Sequence, residues 1–400
     1  MLGLPQGLVT PPATRIIGSM RFVDEFRDAA AAEAVLAQLH AVRLPEPATF
    51  MEVCGSHTMA VSRFGIRSLL PEQLRLVSGP GCPVCVTPLR NIDHAIALSR
   101  LPHVIIATFG DLIRVPGSQT SLEQARAAGS DVRVVYSTLD ALELARSRPE
   151  HQVVFLGIGF ETTAPTVAAA LLQAHEEHLQ NFSVLSDHKV MPPPMRALME
   201  APDVHVRGFI CPGHVSTVIG SGAYRFLAEE YGASSVVAGF EPLDILHALL
   251  LLARQAAEGR AAVENAYGRA VTEEGNPAAR ALLARMFEPC DAAWRGFGVI
   301  PGSGLAIRGE FAHLDAAKRF DVQVPDAEDD PACRCPDVLR GIVVPTECAL
   351  FARRCTPEAP KGACMVSSEG TCAAYYRYER RRLPIAGAAG PADEGITSER

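Results

Sequence analysis

From about residue 48 to residue 265 the chain alternates short apolar runs with stretches of helical composition, and this rhythm restricts the fold more than any other feature. The runs are Phe50–Val53, Leu74–Ser78, Val104–Phe109, Val132–Tyr136, Val153–Phe160, Val206–Ile210 and Val236–Phe240. Helix-like segments come after most of them. Strands that alternate with helices pair in parallel, because a parallel connection must cross over and a helix fills the crossover. The expectation is an α/β chain with two parallel-sheet lobes around a cleft. A break near Ser147–His151 divides the region into a first lobe over 48–148 and a second over 149–265, each about the usual size of a domain.

The flanks differ. Residues 22–43 read as an amphipathic helix that stops before Pro45 and Pro47, so 1–47 form an N-terminal extension and helix. After residue 265 the strand rhythm ends. Residues 278–288 look helical, 296–304 read GFGVIPGSG, and 333–372 hold six of the eleven cysteines. A third, metal-bearing module therefore covers 266–385. The tail 386–400, rich in Ala, Gly and Glu without periodicity, is expected to be disordered.

Charge and hydropathy exclude some functions. The net charge of -8 argues against a nucleic-acid-binding surface, which needs clustered Lys and Arg. Arg377, Arg380, Arg381 and Arg382 form the one basic run and read as a solvated tail. No stretch approaches the roughly 18 to 20 apolar residues of a membrane helix. The start, MLGLPQGLVTPPATRIIGSMRF, lacks a basic segment followed by an apolar one, which predicts a cytoplasmic chain. In that reducing compartment the cysteines favour metal or thiol chemistry over a disulfide framework.

The residues just beyond each strand carry the chemistry. Phe50–Val53 contains Glu52 and runs into Cys54, Gly55 and His57. Leu74–Ser78 runs into Gly79-Pro80-Gly81-Cys82-Pro83-Val84-Cys85, and Val104–Phe109 into Gly110 and Asp111. Val153–Phe160 ends in Glu161, Val206–Ile210 in Cys211-Pro212-Gly213-His214, and Val236–Phe240 in Glu241. Open parallel sheets bind ligands beyond the carboxyl ends of their strands, so these residues point to one functional rim.

Cys82 and Cys85 alone read equally as a dithiol redox pair, half a zinc site or soft iron ligands. A lone cysteine after a strand is more often structural, but Glu52, Gly55 and His57 beside Cys54 reverse that weighting. His57 is expected to favour the Cys54 thiolate. His57 and His214 can each ligate or shift a proton, or simply bond a nearby carbonyl. Glu161 and Glu241 read either as functional carboxylates or as charges at helix N-termini. Cys211 and Cys290 read as structural. Among Cys333, Cys335, Cys348, Cys355, Cys364 and Cys372, four converging thiolates suit zinc or an iron–sulfur cluster. The gaps after Cys335 are wider than zinc knuckles, which favours [4Fe–4S]. The expected ligands are Cys348, Cys355, Cys372 and one of Cys333 or Cys335, with Cys364 as a substitute.

Several strings together resemble the HypD family of hydrogenase maturation factors. They are Glu52-Val53-Cys54-Gly55-Ser56-His57-Thr58, the run from Gly79 to Cys85, Gly159-Phe160-Glu161-Thr162-Thr163-Ala164-Pro165 and Pro212-Gly213-His214-Val215-Ser216. Pro345-Thr346-Glu347-Cys348, Cys355-Thr356-Pro357-Glu358 and the run from Met365 to Cys372 extend the likeness, which covers roughly residues 20–380. Ser56, where Thr is expected, and Met59, where a second His is frequent, depart from it and leave Cys54 and His57 in place.

The resemblance implies two α/β lobes, a [4Fe–4S] domain and a scaffold on which a transient iron acquires cyanide and carbon monoxide. It implies a HypC-type chaperone sharing that iron with Cys54, a HypE-type donor supplying cyanide as a thiocyanate, and indirect delivery to the large subunit of a [NiFe]-hydrogenase. Cys82 and Cys85 would relay electrons from the cluster. The competing readings are a thiol–disulfide or iron–sulfur electron-transfer protein and, more weakly, a structural zinc module.

Overall fold

The computed structural model describes residues 24–324 and 327–380. The expectations for the first 23 residues and for the tail 386–400 lie outside them.

Each apolar run becomes a strand. In chain order these are β1 (Ala48–Glu52), β2 (Leu74–Ser78), β3 (Val104–Thr108), β4 (Asp131–Val134), β5 (Gln152–Gly157), β6 (Phe182–Ser186), β7 (Gly208–Pro212), β8 (Ser234–Ala238) and β9 (Val263–Asn265). All pair in parallel, in two sheets of order β2-β1-β7-β8-β9 and β4-β3-β5-β6. β3 and β8 are buried along their whole length, as strands covered by helices on both faces must be. The α/β class with two parallel sheets is as expected.

The division of the chain is not. The first sheet joins β1 and β2 to β7, β8 and β9, while β3 to β6 form the second sheet as an excursion between them. The contiguous lobes 48–148 and 149–265 are thus corrected: β5 hydrogen-bonds to β3, across the expected boundary, and β7 bonds back to β1. A composition break marks an exposed turn, here the segment before β5, and says nothing about which strand the next one pairs with. β6 and the short edge strand β9 are additional strands within the region.

The first sheet is built around the helix Pro242–Glu258. Pro242 starts it, Gly259 ends it at φ +65°, and Ile245, Leu249 and Leu252 pack it onto the sheet and onto the N-terminal helix Ala29–Ala41. The helix expected over 278–288 forms as Pro277–Met286, with Phe287 and Glu288 already in the next strand, and the glycine-rich GFGVIPGSG bends a hairpin between β10 (Phe287–Trp294) and β11 (Gly298–Ile307). Beyond it, the cysteine-bearing segment contains short helices, Cys335–Leu339, Ala363–Val366 and Thr371–Ala374, before a π-helical turn at Tyr375–Glu379. One apolar cluster unites the carboxyl ends of both sheets with the hairpin and this segment. It includes Val53, Phe160, Met191, Phe209, Trp294, Cys335 and Cys364.

Candidate functional site

Both sheets reverse strand order beside their first strand. The reversal lies between β1 and β7 in the first sheet and between β3 and β5 in the second, and such switch points form crevices at strand ends. Cys54 follows β1 and His214 follows β7, so both flank the first switch point. Asp111 and Glu161 flank the second.

Cys54 starts the helix Gly55–Arg63 and is only 8% exposed. Burial and the neighbouring Glu369 carboxylate push its thiol up to about 12, while hydrogen bonds from the backbone N–H groups of His57 and Ser56 pull the other way. The Cys82 loop lies directly on it: Gly55 N–H donates to the Gly81 carbonyl at 2.9 Å. A Cβ on Gly81 would sit 2.2 Å from the Cys54 nitrogen, so no larger residue fits there. Cys82 and Cys85, both buried, are joined as a disulfide across the short helix Pro83–Val86. The Cys85 N–H donates to the Cys82 sulfur at 3.2 Å.

Beneath Cys54, Glu52 is fully buried, and desolvation raises it to about 7 despite hydrogen bonds from Ser78 and Thr58. Thr58 Oγ1 donates to Glu52 Oε1 at 2.7 Å and the Cys54 N–H to Oε2 at 3.2 Å. Arg67 closes the arrangement, 4.0 Å from Glu52, donating to Ser78 at 2.9 Å and to Glu379 of the C-terminal turn at 2.6 Å.

His57 does not act on Cys54 as a cation. Its Nε2 donates to the Gly239 carbonyl at 2.8 Å, and burial lowers it to about 4, so the ring is neutral and only its backbone N–H favours the thiolate. The bond fixes the Nε2–H tautomer and leaves Nδ1 as a buried acceptor without a partner among the described residues. His214 is exposed, and its ring lies 4.0 Å from Phe240, which also contacts His57 at 4.7 Å.

Glu161 is buried, with Oε1 accepting the Met191 N–H at 2.9 Å and Oε2 without a partner among the described residues; desolvation raises it to about 7. Buried Tyr224 feels the fields of both Glu161 and Cys54. Glu241 takes the helix-terminal reading, preceding Pro242 and pairing with Arg27 at 2.5 Å. Cys211 is buried in β7 and held strongly as a thiol by desolvation.

The segments bearing the C-terminal thiols pack against both the disulfide turn and the Cys54 helix. Ala363–Val366 packs against Pro83–Val86, and Thr371–Ala374 against the Cys54 helix. Cys335, Cys364 and Cys372 are linked by sulfur contacts, and Cys333, Cys348 and Cys355 lie within one another's fields. Burial raises Cys333 to about 12. The Lys361 N–H donates to the Cys355 sulfur at 3.3 Å and the Cys372 N–H to the Cys364 sulfur at 3.4 Å. Among the described residues no group of three or more Cys, His, Asp or Glu stands in ligating geometry. The donor set itself, thiols with amide N–H groups on their sulfurs, fits an iron–sulfur cluster.

The HypD sequence profile, described as "Hydrogenase formation hypA family", matches residues 30–379. The chain belongs to the HypD family. It is 50% identical over 377 residues to "Hydrogenase maturation factor HypD" of Rhizobium leguminosarum bv. viciae, covering 92% of this chain and 97% of the relative. It is 49% identical over 378 residues to the factor of the same description from Azotobacter vinelandii, covering 92% and 100%. The Escherichia coli (strain K12) factor is 45% identical over 374 residues, covering 90% and 99%. The chain is a hydrogenase maturation factor of the HypD type.

Within this HypD-type site the fold adds residues that the strand-end reading missed. Glu369 accepts a hydrogen bond from Ser56 at 2.8 Å, and a Cβ on Gly55 would collide with its side chain at 2.4 Å. Its place between serine, glycine and Cys372 was a local signal. Arg67 offered none, because no local spacing shows that it meets buried Glu52 on one side and Glu379 of the distant C-terminal turn on the other. Cys364, kept only as a substitute ligand, sits between Cys335 and Cys372.

Proposed function

We propose that this maturation factor is an iron–sulfur scaffold on which an Fe(CN)2CO unit is assembled in the cytoplasm. A HypC-type chaperone would share the iron with Cys54, a HypE-type donor would bring cyanide as a thiocyanate, and the product would pass to the large subunit of a [NiFe]-hydrogenase. The observation that supports this most is the stacking of three thiol groups: Cys54, the Cys82–Cys85 turn packed on its backbone through Gly81, and the C-terminal cysteines packed on that turn.

Four of the C-terminal thiolates, drawn from Cys348, Cys355, Cys372, Cys364, Cys333 and Cys335, would hold the [4Fe–4S] cluster. When bound, such a cluster supplies one-electron transfer. The chain's own residues do the rest. Reduced Cys82 and Cys85 deliver two electrons to the thiocyanate: its S–C bond breaks, an S–S bond forms between the two cysteines, and the donor regains a thiol. Of the two protons released by the dithiol, one goes to that thiol. The other leaves the cyanide as it binds iron, and the Glu161 carboxylate, poised at about 7, can take it. An external low-potential electron-donor protein restores the dithiol with two electrons and two protons.

A general thiol–disulfide oxidoreductase is disfavoured by burial. Cys82 is 3% exposed and Cys85 not at all, and the pair packs against other cysteine-bearing segments, whereas the attacking thiol of a general oxidoreductase stands partly exposed. Infrared spectroscopy and metal analysis of the anaerobically purified complex with its chaperone test the proposal. Cyanide and carbon monoxide bands with about four or five iron atoms per chain are expected; zinc without those bands would contradict it.

A further inference from the structure

The glycine-rich hairpin takes no part in the proposed chemistry, yet its tip enters the thiol stack. Trp294, at the end of β10, stacks on Phe160 with ring centres 5.9 Å apart and donates from Nε1 to Ser303 at 2.8 Å. Gly296, at φ +85°, lies so close to Pro336, the residue after Cys335, that a Cβ would approach its Cα to 2.9 Å. Between them sits Arg295, whose side chain is 3% exposed. Its backbone N–H donates to the Val86 carbonyl at 2.8 Å, and its Nε and Nη2 donate to the Thr87 carbonyl at 3.2 and 3.0 Å. Those carbonyls directly follow Cys85. Nη1 pairs with Asp329, and the same guanidinium lies within the field of Cys335.

A buried cation so placed has two effects. It fixes the carbonyl end of the Cys82–Cys85 turn, and a positive charge bonded to the carbonyl two residues past Cys85 favours negative charge on that turn, as it does on the Cys335 sulfur. Asp329 offsets part of this, but its side chain is 32% exposed and its charge is screened by water, whereas that of Arg295 is not.

We propose that Arg295 is a positioning residue that poises the Cys82–Cys85 couple, raising its reduction potential so that the dithiol forms beside the C-terminal cysteines. This rests on the reading of Cys82 and Cys85 as the working redox pair. The reaction to measure is disulfide plus two glutathione giving dithiol plus glutathione disulfide. The full chain is equilibrated anaerobically in glutathione buffers, and the thiols of the Cys82–Cys85 peptide are trapped and weighed.

Arg295→Gln should shift the equilibrium about tenfold toward the disulfide, a change of about 30 mV for this two-electron couple. Arg295→Lys, which keeps the charge, should recover most of the shift, and Asp329→Asn should move the equilibrium the opposite way. An Arg295→Gln couple within twofold of the wild type, or equal shifts in the Gln and Lys variants, overturns the proposal while leaving the dithiol reading intact. A wild-type pair that stays disulfide-bonded in every buffer overturns the dithiol reading and this proposal with it.

Discussion

The two sheets share a winding pattern but carry different chemistry at their rims. The first sheet presents Cys54, His57 and His214, with backbone packed on backbone where Gly81 meets Cys54. The second presents carboxylates. Asp111 accepts bonds from the Ser368 N–H at 2.9 Å and its Oγ at 3.0 Å, and Glu161 lies buried beside Met191. The segment Ser367–Glu369 fastens to both rims, through Asp111 on one side and Ser56 on the other. The contrast is one of side-chain chemistry on one topology: the first rim carries a thiol and imidazoles, the second carries carboxylates, and the C-terminal segment bonds to both.

Substitutions matched between the sheets test that contrast. The largest effect is expected at buried charge. Arg67→Met would leave buried Glu52 and Glu379 without the cation they share and cost about 3–5 kcal/mol. Arg133→Met, breaking an exposed pair with Asp131 on the second sheet, should cost less than about 1 kcal/mol. Equal losses in denaturant titration would erase the distinction.

At the rims, Gly81→Ala should destabilise by about 3 kcal/mol, because the Cys54 backbone cannot give way. Its counterpart Gly110→Ala meets nothing closer than Val134 at 3.7 Å and should stay within about 0.5 kcal/mol of the parent. Thermal melting of the two variants decides the point.

Glu161 gives the next effect, and its sign is fixed by its raised value. Between the ordinary 4.5 and about 7 the folded chain keeps a proton that the unfolded chain has lost, so stability falls as pH rises through this window. Glu161→Gln removes the dependence. Relative to the parent it should gain roughly 2 kcal/mol between pH 4.5 and pH 8. A parallel pair of stability curves would contradict the buried-carboxyl assignment.

The smallest effect belongs to Glu369, whose charge helps hold Cys54 as a thiol. Glu369→Gln should acidify Cys54 and speed its alkylation a few-fold at fixed pH. Slower alkylation would mean that the carboxylate acts through packing instead.

Much of this was legible from the chain. Each apolar run became a strand, and Cys54, Cys82, Glu161 and His214 reach the rims because each follows a strand end. Sheet membership was not legible, since pairing β5 with β3 and β7 with β1 is a long-range choice that local composition does not encode. β6 escaped because Phe182-Ser183-Val184-Leu185-Ser186 is short and broken by serine. Glu369 and Arg295 escaped because the groups they bond lie 313 and 208 residues away in the chain, and Arg67 because, besides its neighbours Ser62, Leu76 and Ser78, it reaches Glu379, 312 residues away.

The central claim is that Cys54 and the C-terminal thiols serve different iron. The most direct measurement pairs visible absorbance with infrared spectra of the chaperone complexes formed by Cys54→Ser and Cys355→Ala. Cys54→Ser should keep the brown cluster absorbance and lose the cyanide and carbon monoxide bands, and Cys355→Ala should lose the absorbance. A Cys54→Ser complex with the full set of infrared bands, or one that loses the cluster absorbance while Cys355→Ala keeps it, would contradict the account.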